Sequence, residues 1–263
     1  FAWFGDPANR ENRVPLIIKA NQVSNVHRRV PLDLFLIPIM SGKKVTAVSV
    51  HAGVWTSAAL AAPPSEVPSL RAQLAKLMER FDFDRSGHAG KALVHALSAL
   101  PHDLLIGFAD EEIARVTTAM MGLVDRPRPR LAIVQAPLAR HLFAFVWLPR
   151  DMLSTQVREQ IRDLLQDSAG ASLLDWSLEV EGGNLAMLRF VLDIRDGNSD
   201  YSESEIEARM QRMLRGWAES VEQELSQFED PGRAAAIASR YADVFPVSYR
   251  VTYGPEEAAL DIG

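Results

Sequence analysis

Seven consecutive apolar residues, Leu142-Phe143-Ala144-Phe145-Val146-Trp147-Leu148, do most to limit what this chain can fold into. As a strand, the run sends Phe143, Phe145 and Trp147 to one side and Leu142, Ala144 and Val146 to the other. Both sides are apolar, so the segment is predicted to be a central strand.

The clearest boundary lies just upstream, at Arg126-Pro127-Arg128-Pro129-Arg130. Prolines spaced in this way cannot continue a helix and favour an extended linker. Before the boundary, residues 14–60 read as strands. Val14 to Ile18 and Leu34 to Met40 are apolar runs, Ser41-Gly42-Lys43-Lys44 is a turn, and Val45 to Val50 alternates. Pro38 within its run predicts an edge strand or a bulge. Residues 65–124 read as helical. Pro63-Pro64-Ser65-Glu66 marks an entry, and Leu70, Leu74, Leu77, Met78 and Phe81 form a stripe. A second helix is expected over Lys91–Leu100. A third starts at Asp110 and presents Ile113, Val116 and Met120.

After the boundary the period changes. Strands are expected at Leu131–Val134 and Leu142–Leu148, then a helix capped by Ser154 or Thr155 and closed by Gly170. Strands Leu173–Val180 and Leu185–Ile194 follow, joined by a Glu181-Gly182-Gly183-Asn184 hairpin turn. This order is close to the βαββαβ order of ferredoxin-like domains, with the elements shifted. Ser202-Glu203-Ser204-Glu205 fits a capping box. The spacing of Ile206, Met210, Met213, Trp217, Val221, Leu225 and Phe228 then predicts one helix of about seven turns, broken by Pro231-Gly232. Helices over Arg233–Phe245 and Pro255–Ile262 complete the chain.

The fold class is therefore α+β. A small antiparallel sheet with a helical segment occupies residues 1–125, a ferredoxin-like α/β sandwich 126–200, and amphipathic helices 201–263.

Several function classes recede on composition alone. The net charge of −6 over 263 residues provides no basic footprint for nucleic acid or an anionic membrane. No apolar run approaches the length of a membrane span. Without cysteine there is no disulfide, thiolate metal site or thiol nucleophile, and a reducing, cytoplasmic setting fits. The start lacks a signal peptide and an initiator methionine, so both ends read as cuts inside a longer protein.

Asp82-Phe83-Asp84-Arg85-Ser86-Gly87 imitates a calcium loop, but its twelfth position is Leu93 rather than glutamate. His88, His95 and His102 recur every seven residues, about 11 Å apart on a helix, too far to share a metal. No metal ligand set is expected. Gly182-Gly183 joins two strands and is no dinucleotide fingerprint, so no cofactor-binding and no catalytic residue is assigned. Trp147, Trp176 and Trp217 read as packing residues. The densest polar cluster beside apolar strands runs from Lys19 to Arg29. Lys19, Ser24, His27 and Arg28 are the ligand-binding candidates, suited to a carboxylate; the competing reading is a solvated loop or interdomain salt bridges.

Short blocks along the whole chain carry a resemblance. They include Lys19-Ala20-Asn21, Val26-His27-Arg28 and Leu32-Asp33; Val54-Trp55-Thr56-Ser57; and Ser86-Gly87-His88-Ala89-Gly90-Lys91-Ala92-Leu93. Pro101-His102-Asp103, Leu148-Pro149-Arg150-Asp151 and Pro255-Glu256-Glu257-Ala258 continue it. In this collinear order the chain resembles the amino-terminal region, with ACT-like, PAS-like and helical modules, of the large bacterial NAD-specific glutamate dehydrogenases. The resemblance implies a non-catalytic regulatory or assembly region of an enzyme that oxidises glutamate to 2-oxoglutarate and ammonia. NAD would be used elsewhere on the longer polypeptide. The partners implied are the remaining domains, further copies in a homo-oligomer, and an amino-acid effector. Two alternatives stand beside it: a free-standing amino-acid-sensing module and a ligand-free scaffold.

Overall fold

Three consecutive strands make the first sheet: β1 (Leu16–Val23), β2 (Pro31–Ser41) and β3 (Lys44–Gly53), antiparallel in the order β1-β2-β3. The computed structural model describes residues 1–6, 9, 15–26, 28–124, 127–180, 183–195 and 200–262. Gly42, in the tight turn between the paired Ser41 and Lys44, has φ +61°, where a side chain would be strained. β1 continues through Lys19-Ala20-Asn21 to Val23, so the polar cluster begins inside a strand, and Lys19 stands directly across the ladder from Asp33. The edge-strand expectation for Pro38 is not met, since β2 is the middle strand; its alternative, a bulge, is met one residue beyond it. Among the described residues the pairing to β1 reaches only Leu16–Leu36, and the ladder to β3 slips between Ile39 and Met40.

Helix α1 spans Pro68–Arg80, so the entry at Pro63-Pro64 is a turn and the helix begins later than expected. Pro68 forces Val67 into extended backbone (φ −90°, ψ 115°), and a helix begun at Ser65 could not pass through it. Helix α2 (His88–Ala99) starts earlier than expected, and α3 (Asp110–Val124) matches its expected start. A Cβ on Gly90 of α2 would lie 2.1 Å from the Asp84 carbonyl oxygen. The Asp82–Gly87 turn is thus folded against the helix. Asp84 accepts hydrogen bonds from Ser86 N (2.9 Å) and Ser86 Oγ (2.8 Å). Among the described residues no group of acidic or histidine side chains is arranged to hold a metal ion.

The second sheet contains β4 (Arg130–Gln135), β5 (His141–Pro149), β6 (Ser172–Val180) and β7 (Leu185–Asp193), antiparallel in the order β4-β5-β7-β6. Helix α4 (Thr155–Ala169) joins β5 to β6. Ser154 caps its start by accepting from Val157 N, and Gly170 ends it with φ 57°. Moving β4 to the end of the element list, with the next helix α5 (Glu203–Leu214), converts ββαββα into βαββαβ. The sheet is therefore ferredoxin-like with relocated chain ends. β5 is central, as its run requires. Phe143, Phe145 and Trp147 join one continuous core with Leu74 of α1, Leu97 of α2 and Ile113 of α3, while α4 contacts β6 and β7. Trp176, expected inside, is 40% exposed on the outer strand β6, with the Arg158 guanidinium 4.2 Å above its ring.

At the opposite edge, β4 is closed by side chains. Ile133 N donates to Glu203 Oε2 (2.7 Å), and Arg115 donates to the Ile133 carbonyl (2.6 Å) while holding Glu203 with its other nitrogen.

Residues 1–206 make one compact unit and 207–263 another. The long helix expected from Ile206 to Phe228 is two helices, α5 and α6 (Trp217–Leu225), parted at Arg215-Gly216. Gly216 is extended (φ −66°, ψ 161°) and precedes α6 as its cap; the apolar spacing carries on across it and hides the break. Pro231 is not only a breaker. It opens α7 (Pro231–Tyr241), capped by Asp230, and α8 (Pro255–Ile262) follows. Val221, Leu225, Ala234, Ala238, Ala258 and Ala259 bring α6, α7 and α8 together, and Trp217 Nε1 donates to the Ala242 carbonyl (2.8 Å). No helix among the described residues is long and apolar enough to cross a membrane.

Candidate functional site

A cleft of about 410 Å³ lies within the first unit, between the first sheet, the start of the short helix His102–Leu105 and strands β6 and β7. Its position follows from strand alternation. Asp175, Ser177 and Glu179 of β6 project to the same side as Arg189 of the neighbouring β7, and Lys19 and Asp33 reach the cleft from β1 and β2.

The floor is a buried charge network. Lys19 Nζ lies 2.7 Å from Asp33 Oδ1 and 2.6 Å from Asp103 Oδ2, with all three side chains at least nine-tenths buried. Arg189 stands 3.8 Å from Asp103 and 3.3 Å from Asp175, longer than well-formed charge-assisted bonds. Burial raises the Asp33 carboxyl above its ordinary value, against the pull of Lys19. Burial likewise raises Asp175, with Arg189 pulling the other way. Burial acts on Asp103 too, but Lys19 and Arg189 together outweigh it and hold that carboxyl below its usual value. Burial lowers His102, which Asp103 beside it only partly offsets.

Buried polar atoms without a hydrogen bond gather in the same place. Trp55 Nε1, Ser177 Oγ and Arg189 Nε are all of this kind, and all three belong to residues lining the cleft. Such atoms are costly in a protein interior.

Of the four residues singled out in the sequence, the structure brings Lys19 and Arg28 to this cleft. Lys19 forms part of the floor. Arg28 lies at the mouth with Arg29, and its guanidinium donates to the Trp55 carbonyl. Ser24 lines a neighbouring cleft of about 630 Å³ and closes a local turn, accepting from Val26 N at 3.2 Å. His27 lies outside the described residues.

Sequence reasoning did not single out Asp33, Trp55, His102, Asp103, Asp175, Ser177 or Arg189 as ligand candidates. A signal did exist. Asp33 and Arg189 are lone charges within apolar strand sequence, Leu32-Asp33-Leu34 and Leu188-Arg189-Phe190, and a charge so placed needs a partner of opposite sign.

A second polar seam ties β1 to the second sheet. His141 Nε2 is 2.8 Å from Asn21 Oδ1, Asn21 Nδ2 donates to Asp193, and Arg195 also engages Asp193. Burial lowers the His141 pKa; Asp193 opposes the shift, and Arg195 and Arg140 reinforce it.

Comparison with known proteins finds three family models in sequence. Residues 67–126 match "Glutamate dehydrogenase, helical motif 1", residues 130–218 "Glutamate dehydrogenase, ACT2 domain" and residues 225–263 "Glutamate dehydrogenase, helical motif 2". Among curated relatives, an NAD-specific glutamate dehydrogenase of Halomonas elongata is 27% identical over 211 residues, 80% of this chain and 13% of its own length. That of Pseudomonas aeruginosa is 25% identical over 255 residues, 95% of this chain and 16% of its own. That of Mycobacterium tuberculosis is 22% identical over 223 residues, 80% and 14%. The chain thus spans less than a fifth of the length of these relatives.

Proposed function

We propose that this chain, which belongs to the glutamate dehydrogenase family by its ACT2 domain and its two helical motifs, is a non-catalytic regulatory and assembly region of a larger NAD-specific enzyme. The collinear match of three modules, none of them a dehydrogenase module by its description, is the observation that carries this reading. On it, the parent polypeptide oxidises L-glutamate with NAD, and the residues doing so lie elsewhere on that polypeptide. The partners are the remaining domains and further copies of the enzyme, in a cytoplasmic setting.

Two measurements test the reading. The purified chain, given L-glutamate and NAD, is expected to form no NADH above background; turnover would overturn the proposal. The natural reading frame is expected to encode a dehydrogenase module as well, and a frame without one would favour a free-standing sensor. The cleft, with its gathered unsatisfied donors, favours a region that responds to a small molecule over a ligand-free scaffold.

A further inference from the structure

We infer that the outer strand β6 pairs with itself: two copies of this chain meet antiparallel along it, about a two-fold axis at Leu178, and join their four-stranded sheets into one. This gives the assembly part of the reading above a surface and rests on that reading for its purpose, though not for its chemistry.

The two edges of the second sheet are unlike. At β4 the Ile133 backbone groups are taken by Glu203 and Arg115. At the other edge β6 pairs with β7 alone. Beyond that ladder the Trp176 N–H donates to the Asp175 carboxyl, while the Leu178 and Val180 backbones make no further hydrogen bond among the described residues. Strand alternation puts Trp176, Leu178 and Val180 on one face, where they are 40%, 42% and 44% exposed. No lysine or proline interrupts Ser172–Val180, and its charges, Asp175 and Glu179, sit on the other face, toward the cleft. The strand thus lacks the devices that keep an edge from pairing.

The register follows from which side chains would then face each other. Across an axis at Leu178, that residue faces its own copy, Trp176 faces Val180, and Ser177 faces Glu179. Each of these apolar side chains meets an apolar one, and each glutamate meets a hydroxyl. An axis at Ser177 instead sets Asp175 against Glu179, and an axis at Glu179 sets that residue against itself. Like charges directly opposite one another destabilise a ladder. An axis at Trp176 sets Val180 against Ser172 and Leu173 against Glu179. Leu178 is therefore the favoured centre. The pairing uses the same edge of both copies, so association stops at two. Asp175, Ser177 and Glu179 line the cleft, so the two clefts of the pair come to lie on one side of the joined sheet, beside the axis.

Sedimentation velocity on the 263-residue chain over a range of concentrations tests the inference. A reversible monomer–dimer equilibrium with no larger species is expected. Leu178→Lys and Leu178→Glu, at an exposed position, are each expected to weaken association at least about tenfold, since like charges then meet on the axis. Mixed together, the two variants are expected to associate again, because an axis at Leu178 sets the lysine against the glutamate. Leu178→Cys puts the only thiol of the chain on the axis, and mild oxidation is expected to link two copies. A parent that stays monomeric up to its solubility limit, a folded Leu178→Lys variant that associates like the parent, a mixture no more associated than its components, or a Leu178→Cys variant that fails to link would each overturn the inference. The regulatory reading is decided separately, by NAD-dependent glutamate turnover of the purified chain. It survives a monomeric result here, which would leave assembly to other parts of the longer polypeptide.

Discussion

The two sheets of the first unit are built alike and held differently. In the second sheet, β5 is buried from His141 to Leu148, with aromatic side chains in a core shared with three helices. In the first sheet Ile37, Ile39, Met40 and Val50 are exposed, and β1 meets its neighbours through Lys19, Asn21 and their polar partners. The second sheet is held at β5 by apolar burial on both faces; the first is fastened to it by buried charge and hydrogen bonds beside the apolar Leu16, Ile17 and Ile18. Apolar burial is non-directional and tolerant of small shifts, whereas a buried ion network is stable only while every member is present. The first sheet is therefore the part of this unit that a change in charge, by ligand or by proton, can loosen.

The sharpest challenge to that contrast is Phe145→Ala. Removing a fully buried ring from the central strand is expected to cost about 3–5 kcal/mol in chemical denaturation; a loss below about 1 kcal/mol would show that the second sheet does not depend on its apolar core. Next comes Lys19→Met, which preserves bulk but strands Asp33 and Asp103. About 3 kcal/mol is expected, with part recovered when Asp33→Leu is added, since two apolar groups then replace an ion pair. An unchanged Lys19→Met would remove charge as the fastening of the first sheet.

Acid should weaken the same seam. His102 and His141 have folded-state values below their ordinary one, so between those values and about pH 6.5 the unfolded chain binds protons that the folded chain does not. Stability is then fully present above about pH 6.5 and falls as the pH drops, by at most about 1.4 kcal/mol per pH unit for each histidine. Asp33 and Asp175, whose values are raised, act in the opposite sense between their ordinary and raised values, because there the folded chain holds the extra proton. Thermal melts at pH 7 and 5.5 measure the histidine effect, and His141→Asn is expected to flatten it. The smallest effect is expected for Ile39→Ser on the exposed part of the first sheet, within about 0.5 kcal/mol in either direction; a larger loss would mean that this face is covered.

The same contrast explains what could be read beforehand. β5, α4 with its Ser154 and Gly170 ends, and the α+β class were legible because apolar period and cap chemistry are local. The start of α1 was misplaced although Val67-Pro68 was visible, since two earlier prolines offered a competing entry. The break at Gly216 was hidden because apolar steps of three and four continued across it. The cleft was only half legible. Lys19 and Arg28 stood out as a local cluster, but Asp103, Asp175 and Arg189 join them through pairings 84 or more residues from Lys19. Long-range charge compensation leaves no periodic trace in sequence.

The side chains along β4 have a consequence for how this protein meets copies of itself. An outermost strand normally offers its backbone as a template, and runaway stacking begins there. At Ile133 both backbone groups are already taken, by a carboxylate and a guanidinium that also hold each other. An incoming strand would have to evict that pair first, so Glu203 and Arg115 act as a latch against fibre growth on this side.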